Sequence, residues 1–220
     1  MMTKVKQFTF NPFQVNTYIL SDETGECAII DPGMNTPKEE QELSEYIKDQ
    51  NLKPVLLLNT HTHIDHIAGN EYVQKTYQLP LQAHRESEIF LREAMTHAAV
   101  FGIHLEHVTP IEVFLAEGDR VTFGNTTMQI LYTPGHAAGS VCFYVPESGF
   151  VITGDVLFYQ SIGRTDLATG DYDLLQESIW KKLFTLPDNT LVYPGHGPHT
   201  TVGTEKSTNP FVAIGRDELY

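Results

Sequence analysis

Short apolar runs recur along the chain, and most end on Gly, Pro, Asp or His rather than continuing into a helical stripe. Val5 to Phe10 and Asn16 to Ser21 read as strands separated by Asn11-Pro12-Phe13. Glu26 to Ile30 reads as a third, closed by Asp31-Pro32-Gly33, where Pro and Gly suit the central positions of a type II turn. A helix is expected from Thr36-Pro37-Lys38-Glu39, with Thr36 as cap, Pro37 at the first helical position and Glu39 completing a capping box. Leu43, Tyr46, Ile47 and Gln50 trace one face of it, and Pro54 stops it. Val55 to Leu58 then reads as a buried strand, His66 to Tyr77 as a helix, Leu81 to Ala83 as a short strand and Arg85 to Val100 as a helix.

The second half is richer in strands. Glu112 to Leu115, Arg120 to Phe123 and Thr126 to Tyr132 resemble a meander with turns at Glu117-Gly118-Asp119 and Gly124-Asn125. Val141 to Val145 and Phe150 to Thr153 form a hairpin pattern. Asp171 to Phe184 reads as a helix with Leu175, Ile179 and Leu183 on one face, and Leu191 to Tyr193 as a last strand. Strands cluster in both halves with helices between, which predicts an α/β fold of two packed mixed sheets with outer helices, an αββα sandwich.

The polar residues at the strand tips carry the chemistry. Asn59-Thr60-His61-Thr62-His63-Ile64-Asp65-His66 follows the Val55–Leu58 strand, where open α/β folds place their sites. If the backbone stays extended there, His61, His63 and Asp65 share a face and His66 swings round as the helix begins. That gives two diverging ligand pairs, enough for two adjacent metals, and imidazole with carboxylate suits zinc, iron or manganese better than calcium or magnesium. His136, Asp155 and His196 each follow a strand and a glycine (Gly135, Gly154, Gly195), which permits unusual backbone or close approach. His84 reads as a surface residue more than a helper of the site. His97, His104 and His107 have no such spacing and read as solvent-exposed or part of a mobile lid.

Composition trims the alternatives. With 41% hydrophobic and 19% charged residues, the 220-residue chain is ordinary for a soluble protein, and its size fits one large domain or two small ones. A formal net charge of -14 argues against nucleic acid as a partner. Cys27 and Cys142 each sit in an apolar run and read as buried thiols in a reducing compartment. The start of the chain has no apolar leader and no apolar run is long enough to span a membrane, so a cytoplasmic protein with no membrane contact is expected. Nothing in the chain specifies an oligomeric state.

His-x-His-x-Asp-His at His61 to His66, followed by His136, Asp155 and His196, resembles the metallo-β-lactamase superfamily over nearly the whole chain. The resemblance implies that His61, His63 and His136 bind one divalent ion, that Asp65, His66 and His196 bind a second, and that Asp155 bridges both. Zinc is expected first, iron or manganese next. Gly154-Asp155-Val156-Leu157-Phe158, Ser161-Ile162-Gly163-Arg164-Thr165-Asp166, Tyr193-Pro194-Gly195-His196-Gly197-Pro198 and Asn209-Pro210-Phe211 are similar to the short, single-domain glyoxalase II-like (hydroxyacylglutathione hydrolase-like) group. Asp at 155 departs from zinc β-lactamases that use Cys at the corresponding step. Full-length glyoxalase II enzymes add a C-terminal helical domain that helps hold glutathione. Residues 197–220 are too few for one, so a single domain over 1–220 is expected, and no glutathione-binding residue is carried over.

The activity this implies is hydrolysis of a small-molecule thioester. A thiol has a pKa of about 8.5 and departs as thiolate, so no further catalytic acid is expected. Asp155 would fix both ions, and Asp65 could also orient the attacking hydroxide. Arg164 either meets a substrate carboxylate or pairs with Asp166. Tyr159 and Tyr193 either line the pocket or pack. The chain also resembles persulfide dioxygenases at His61, His136, Asp155 and the Gly163–Asp166 segment, a set suited to one iron(II). The run Gly195-His196-Gly197-Pro198 looks more hydrolase-like. The remaining alternative is a non-catalytic metal-binding module.

Overall fold

The structure, a computed structural model, describes residues 2–213; residue 1 and residues 214–220, the two ends of the expected 1–220 domain, lie outside the described residues. Strands β1 (Lys4–Phe10), β2 (Val15–Ser21) and β3 (Glu26–Ile30) lead to helix α1 (Pro37–Asp49) and strand β4 (Lys53–Leu58). Helices α2 (Ile64–Ile67) and α3 (Asn70–Tyr77), strand β5 (Leu81–His84), helix α4 (Glu88–Phe101) and strand β6 (Ile111–Leu115) complete the first half. The second holds β7 (Arg120–Phe123), β8 (Thr126–Tyr132), β9 (Val141–Val145), β10 (Phe150–Gly154), β11 (Leu157–Phe158) and β12 (Ser161–Ile162). It continues through α5 (Tyr172–Ser178), β13 (Leu191–Pro194), β14 (Thr200–Thr201) and α6 (Val202–Thr208).

One sheet has the order β1-β2-β3-β4-β5-β6, antiparallel at first and parallel from β3 onwards. The other has the order β14-β13-β10-β9-β8-β7, antiparallel except where β13 runs parallel to β10. Strand alternation sorts the apolar side chains into three layers. Tyr18, Leu20, Ala28, Ile30, Leu56 and Leu58 of the first sheet meet Phe123, Met128, Ile130, Val141, Phe143 and Ile152 of the second between the sheets. The intervening Ile19, Cys27, Ile29 and Leu57 point the other way, towards Leu43 and Ile47 of α1 and Val73 of α3. Cys142, Val151 and Val192 likewise turn outwards to Leu175, Ile179 and Leu183. This is the expected αββα sandwich. Both cysteines are buried free thiols on the outer faces of different sheets. No helix among the described residues is long and apolar enough to cross a membrane.

Several expectations need amendment. The β6 segment is no part of a meander with β7 and β8: it pairs parallel with β5 in the other sheet. The helix expected over 66–77 is two, broken at Ala68-Gly69, where a side chain at Gly69 would run into Met34 Cε at 2.8 Å. The left-handed residue after β3 is Asp31 (φ 49°), not Gly33, so the turn is not type II. Gly33 is required for closeness instead: a Cβ there would lie 2.1 Å from Val15 Cγ1 and 2.9 Å from the carbonyl oxygen of Asp65. The helix that begins at Tyr172 ends in a π-helical turn, Ile179–Leu183, that keeps Ile179 and Leu183 in the core. At α1 the cap is as expected, with Thr36 accepting from the Glu39 N–H. Glu39, however, reaches back to the N–H groups of Asn35 and Asn11, tying the β1–β2 loop to the helix.

Candidate metal centre

Five strand ends converge at one edge of the sandwich. β3 ends at Asp31, β4 leads into Asn59–His66, β8 leads to His136, β10 to Asp155 and β13 to His196. Two cross-sheet bonds stitch these loops together, Val141 N–H to Thr60 C=O at 2.8 Å and Asn16 N–H to Gly195 C=O at 2.7 Å, and within the second sheet Gly195 N–H donates to Gly154 C=O at 2.7 Å. Gly195 is there for space, since a Cβ would sit 2.1 Å from Asp155 Oδ1 and 2.8 Å from His66 Cε1.

The loops bring all seven residues singled out in the sequence to one place. Donor atoms of His61, His63 and His136 lie within 4.8 Å of one another, and so do those of Asp65, His66 and His196. Asp155 faces both groups: Oδ1 is 3.4 Å from His66 Nε2, while Oδ2 is 3.7 Å from His136 Nε2 and 3.5 Å from His196 Nε2. Asp65 Oδ2 is 3.2 Å from His196 Nε2 and 3.6 Å from His66 Nε2. The loop is not extended as far as Asp65: His63 is the last extended residue, and α2 starts at Ile64. That turn aims Asp65 at His196 rather than along the face of His61 and His63.

Hydrogen bonds on the far side of each ring settle which nitrogen faces inwards. His61 Nδ1–H donates to Thr60 Oγ1 at 3.1 Å, whose hydroxyl donates to Asp31 Oδ2 at 2.6 Å. His66 Nδ1–H donates to the same Asp31 oxygen at 3.0 Å. His136 Nδ1–H donates to the Arg164 carbonyl at 2.7 Å and His196 Nδ1–H to the Phe13 carbonyl at 3.0 Å. In all four it is Nε2 that faces the centre. His61 Nε2, His66 Nε2 and Asp155 Oδ1 are buried with no hydrogen-bond partner, although buried polar atoms are otherwise almost always paired. His63 Nδ1 lies 3.0 Å from His136 Nε2, two nitrogens turned towards each other. Orphaned buried donors and converging imidazoles are what a metal-binding site requires, so the residues fit divalent ions of the zinc, iron or manganese type.

The two groups differ in protonation. Burial, then neighbouring imidazoles, pushes His61 well below the ordinary histidine range and His63 down to about 3. His136 is lowered too, chiefly by burial. Burial also acts on His66, but Asp65, Asp155 and Asp31 outweigh it and raise His66 well above that range. His196 is raised against burial by Asp65 and Asp155. Burial would raise Asp155 and Asp65, yet His66 and its neighbours hold both below the carboxylate range. The first group therefore favours neutral imidazoles, and the second holds its protons more tightly, so that a cation entering there competes with protons.

The remaining candidates fall outside the donor groups. Arg164 is exposed, and its guanidinium makes two hydrogen bonds to Asp166, at 2.7 and 2.6 Å; its backbone carbonyl is what touches the centre. Tyr159 is exposed on the turn between β11 and β12. Glu205, fully buried, accepts from Gln160 N–H at 2.9 Å and from Asn209 Nδ2 at 2.7 Å, and Asn209 also donates to the Ser161 carbonyl at 3.1 Å. The Asn209-Pro210-Phe211 signature thus holds the β11–β12 hairpin in place. Tyr193 packs on Tyr18 and Phe150. His84 stacks on Tyr132 at 4.5 Å and accepts from the Glu86 N–H. His97, His104 and His107 pair with Glu93, Glu106 and Glu71 respectively, and not with the centre. Sequence reasoning missed Asp31. Its only signal was an acidic residue at the tip of an apolar strand, the same pattern that marked Asp155.

The sequence model of the Metallo-beta-lactamase superfamily matches residues 10–196. "Probable metallo-hydrolase YqgX" of Bacillus subtilis (strain 168) is 39% identical over 210 residues, covering 95% of this chain and 97% of that protein. "Hydroxyacylglutathione hydrolase GloC" of Haemophilus influenzae is 37% identical over 202 residues, covering 91% and 93%. Among solved structures, BLEG-1 B3 metallo-beta-lactamase superposes with a TM-score of 0.87 at 36% identity, covering 95% of this chain and 99% of its own. TTHA1623 in a di-iron-bound form gives 0.84 at 38% identity, covering 94% and 100%. ETHE1 from Myxococcus xanthus gives 0.78 at 28% identity, covering 98% and 87%.

Proposed function

The chain belongs to the metallo-beta-lactamase superfamily, and from that footing we propose that it hydrolyses small thioesters, in the manner of a hydroxyacylglutathione hydrolase, at a two-ion centre. The observation that carries this is the pair of donor groups facing one carboxylate, with His61 Nε2, His66 Nε2 and Asp155 Oδ1 buried without a hydrogen-bond partner. Likeness to the GloC protein at 37% identity supports the substrate class, and the di-iron form of a 38% identical structure supports the ion count. Two divalent ions, zinc first and iron or manganese next, supply when bound a hydroxide near neutral pH and polarise the carbonyl under attack.

The residues divide the remaining work. His61, His63 and His136 hold one ion, Asp65, His66 and His196 the other, and Asp155 faces both. Asp65 Oδ2 would also accept a hydrogen bond from the attacking hydroxide and so orient it. Asp31, through Thr60 and directly, fixes the rings of His61 and His66 with Nε2 turned to the centre. Every acid and imidazole at the centre is engaged as a donor, which leaves none as a general acid. A thiolate leaving group needs none, whereas an amine does. The single-iron dioxygenase reading uses only His61, His136 and Asp155. It leaves Asp65, His66 and His196 grouped without a task, and the hydrolase reading is preferred for that reason.

The test is a panel of thioesters that includes lactoylglutathione, run on metal-replete protein with and without a chelator. Turnover that falls more than a hundredfold on chelation and returns on re-addition of zinc, iron or manganese is expected. Turnover indifferent to the chelator, or oxygen consumption in place of hydrolysis, overturns the reading.

A further inference from the structure

An aromatic face runs along one side of the centre. On α4, Phe90, Ala94, His97 and Phe101 recur at intervals of four, three and four residues and so share a face. The buried end of that face, Phe90, packs edge-on against His63 with ring centroids 4.7 Å apart. Eleven residues on, roughly 16 Å along the helix at the usual rise, Phe101 meets the ring of Phe13 edge-on at 5.9 Å. The Phe13 carbonyl accepts from His196. The helix therefore runs from a residue of one donor group to the loop that holds a residue of the other.

Phe13 is 41% and Phe101 54% exposed. Single exposed aromatics are ordinary, but this pair is held on rigid supports beside the centre. Asn11 and Gln14 sit in the left-handed region at φ 53° and 59°. Asn11 Nδ2 donates to the carbonyls of Gly33 and Asp65, each at 2.9 Å, and Asn11 Oδ1 accepts from Phe13 N–H at 2.9 Å. The loop is thus locked to the same backbone that carries Asp65. Among the wall residues only His97 is ionisable, and its imidazole lies 3.6 Å from the Glu93 carboxylate on the same helix, so the wall offers no free cation for a carboxylate and matches an uncharged chain.

We propose that the face formed by Phe90, His97, Phe101 and Phe13 is the specificity-determining wall of the centre and takes an unbranched apolar chain of a thioester substrate. The inference rests on the thioester hydrolase reading and narrows its substrate class. The apolar chain can lie on the acyl or the thiol side of the scissile bond. A fully buried methylene is worth about fourfold in binding, so a half-covered one is worth about twofold.

The experiment compares metal-replete protein on three substrates: the acetyl and hexanoyl thioesters of cysteamine, and the acetyl thioester of hexanethiol. At least one hexyl-length substrate is expected to exceed acetyl-cysteamine in kcat/KM by tenfold or more, and the arm that gains identifies the side facing α4. Phe101→Ala is expected to bring that ratio below three, and Phe101→Leu to keep it. Inhibition by hexanoate at least tenfold stronger than by acetate gives the same ranking without a variant. Flat ratios in the native chain, or a ratio that survives Phe101→Ala, overturn the wall while leaving hydrolysis intact. Absence of turnover on all three together with lactoylglutathione overturns the hydrolase reading and the wall with it.

Discussion

At Asp31 one carboxylate accepts from the Thr60 N–H, the Thr60 hydroxyl, the Asn59 amide and His66 Nδ1–H. Replacing it with Asn leaves the shape and takes away acceptor capacity, so His66 loses the partner that fixes its inward lone pair. Asp31→Asn is expected to weaken metal binding by about 10–100-fold with the fold kept, measured by competition with a chromogenic chelator. Affinity unchanged within threefold would show that Asp31 only braces the loop. Asp155→Ala is expected to lower thioester turnover by orders of magnitude, whereas His84→Ala and His104→Ala leave it nearly intact; equal losses in the three would refute the assignment of donors. That the seven candidates converge was legible in the sequence because metal chemistry needs His and Asp at strand tips, and those tips end in Gly-containing turns. Asp31 was not, because its role depends on β3 lying beside β4, a neighbour relation that no local pattern states.

Among the elements, the 163–171 segment explains what Arg164 does. Its backbone carbonyl holds His136, Thr169 Oγ1 accepts from Ala138 N–H at 2.9 Å, and Asp171 N–H donates to the Gly135 carbonyl at 2.7 Å. Thr169 is β-branched yet sits at φ 66°, an uncommon conformation that the surrounding bonds sustain. Thr169→Ser keeps the acceptor and is expected to keep metal affinity, whereas Thr169→Ala is expected to weaken it several-fold, read by isothermal titration of metal-free protein. The two donor groups also differ in their protons. His66 and His196 hold their protons more tightly than an ordinary histidine, because Asp65 and Asp155 outweigh burial, whereas His61, His63 and His136 hold theirs less tightly. Filling the second group must therefore release protons and weaken as pH falls, while filling the first releases few. Titrations in buffers of different ionisation heat check this; equal proton release from both steps would contradict it. Long periodic elements such as α1 and the Leu175-Ile179-Leu183 stripe were legible. The two-residue strands β11, β12 and β14 and the helix α6 were not, because contacts such as those of Glu205 hold them rather than their own patterning. Residues 111–115 were legible as a strand, but their partner was not, since parallel pairing with β5 bypasses the turn signals that suggested a meander.

For the whole molecule, the sandwich followed from apolar alternation: odd and even positions of β2, β3 and β4 divide between the inner core and the helical layer. Two sheets pinned at one edge place donors far apart in sequence within one cluster. A formal net charge of -14 over the chain makes that cluster a favourable place for cations. Ions that bind only the folded state stabilise it by mass action, so chelation is expected to lower the melting temperature by several degrees and re-addition to restore it. The most direct test of the central claim is to titrate metal-free protein with zinc while following thioester hydrolysis. Activity is predicted to rise until two equivalents per chain are bound and then level off. Levelling at one equivalent, or no hydrolysis at two, would contradict the account.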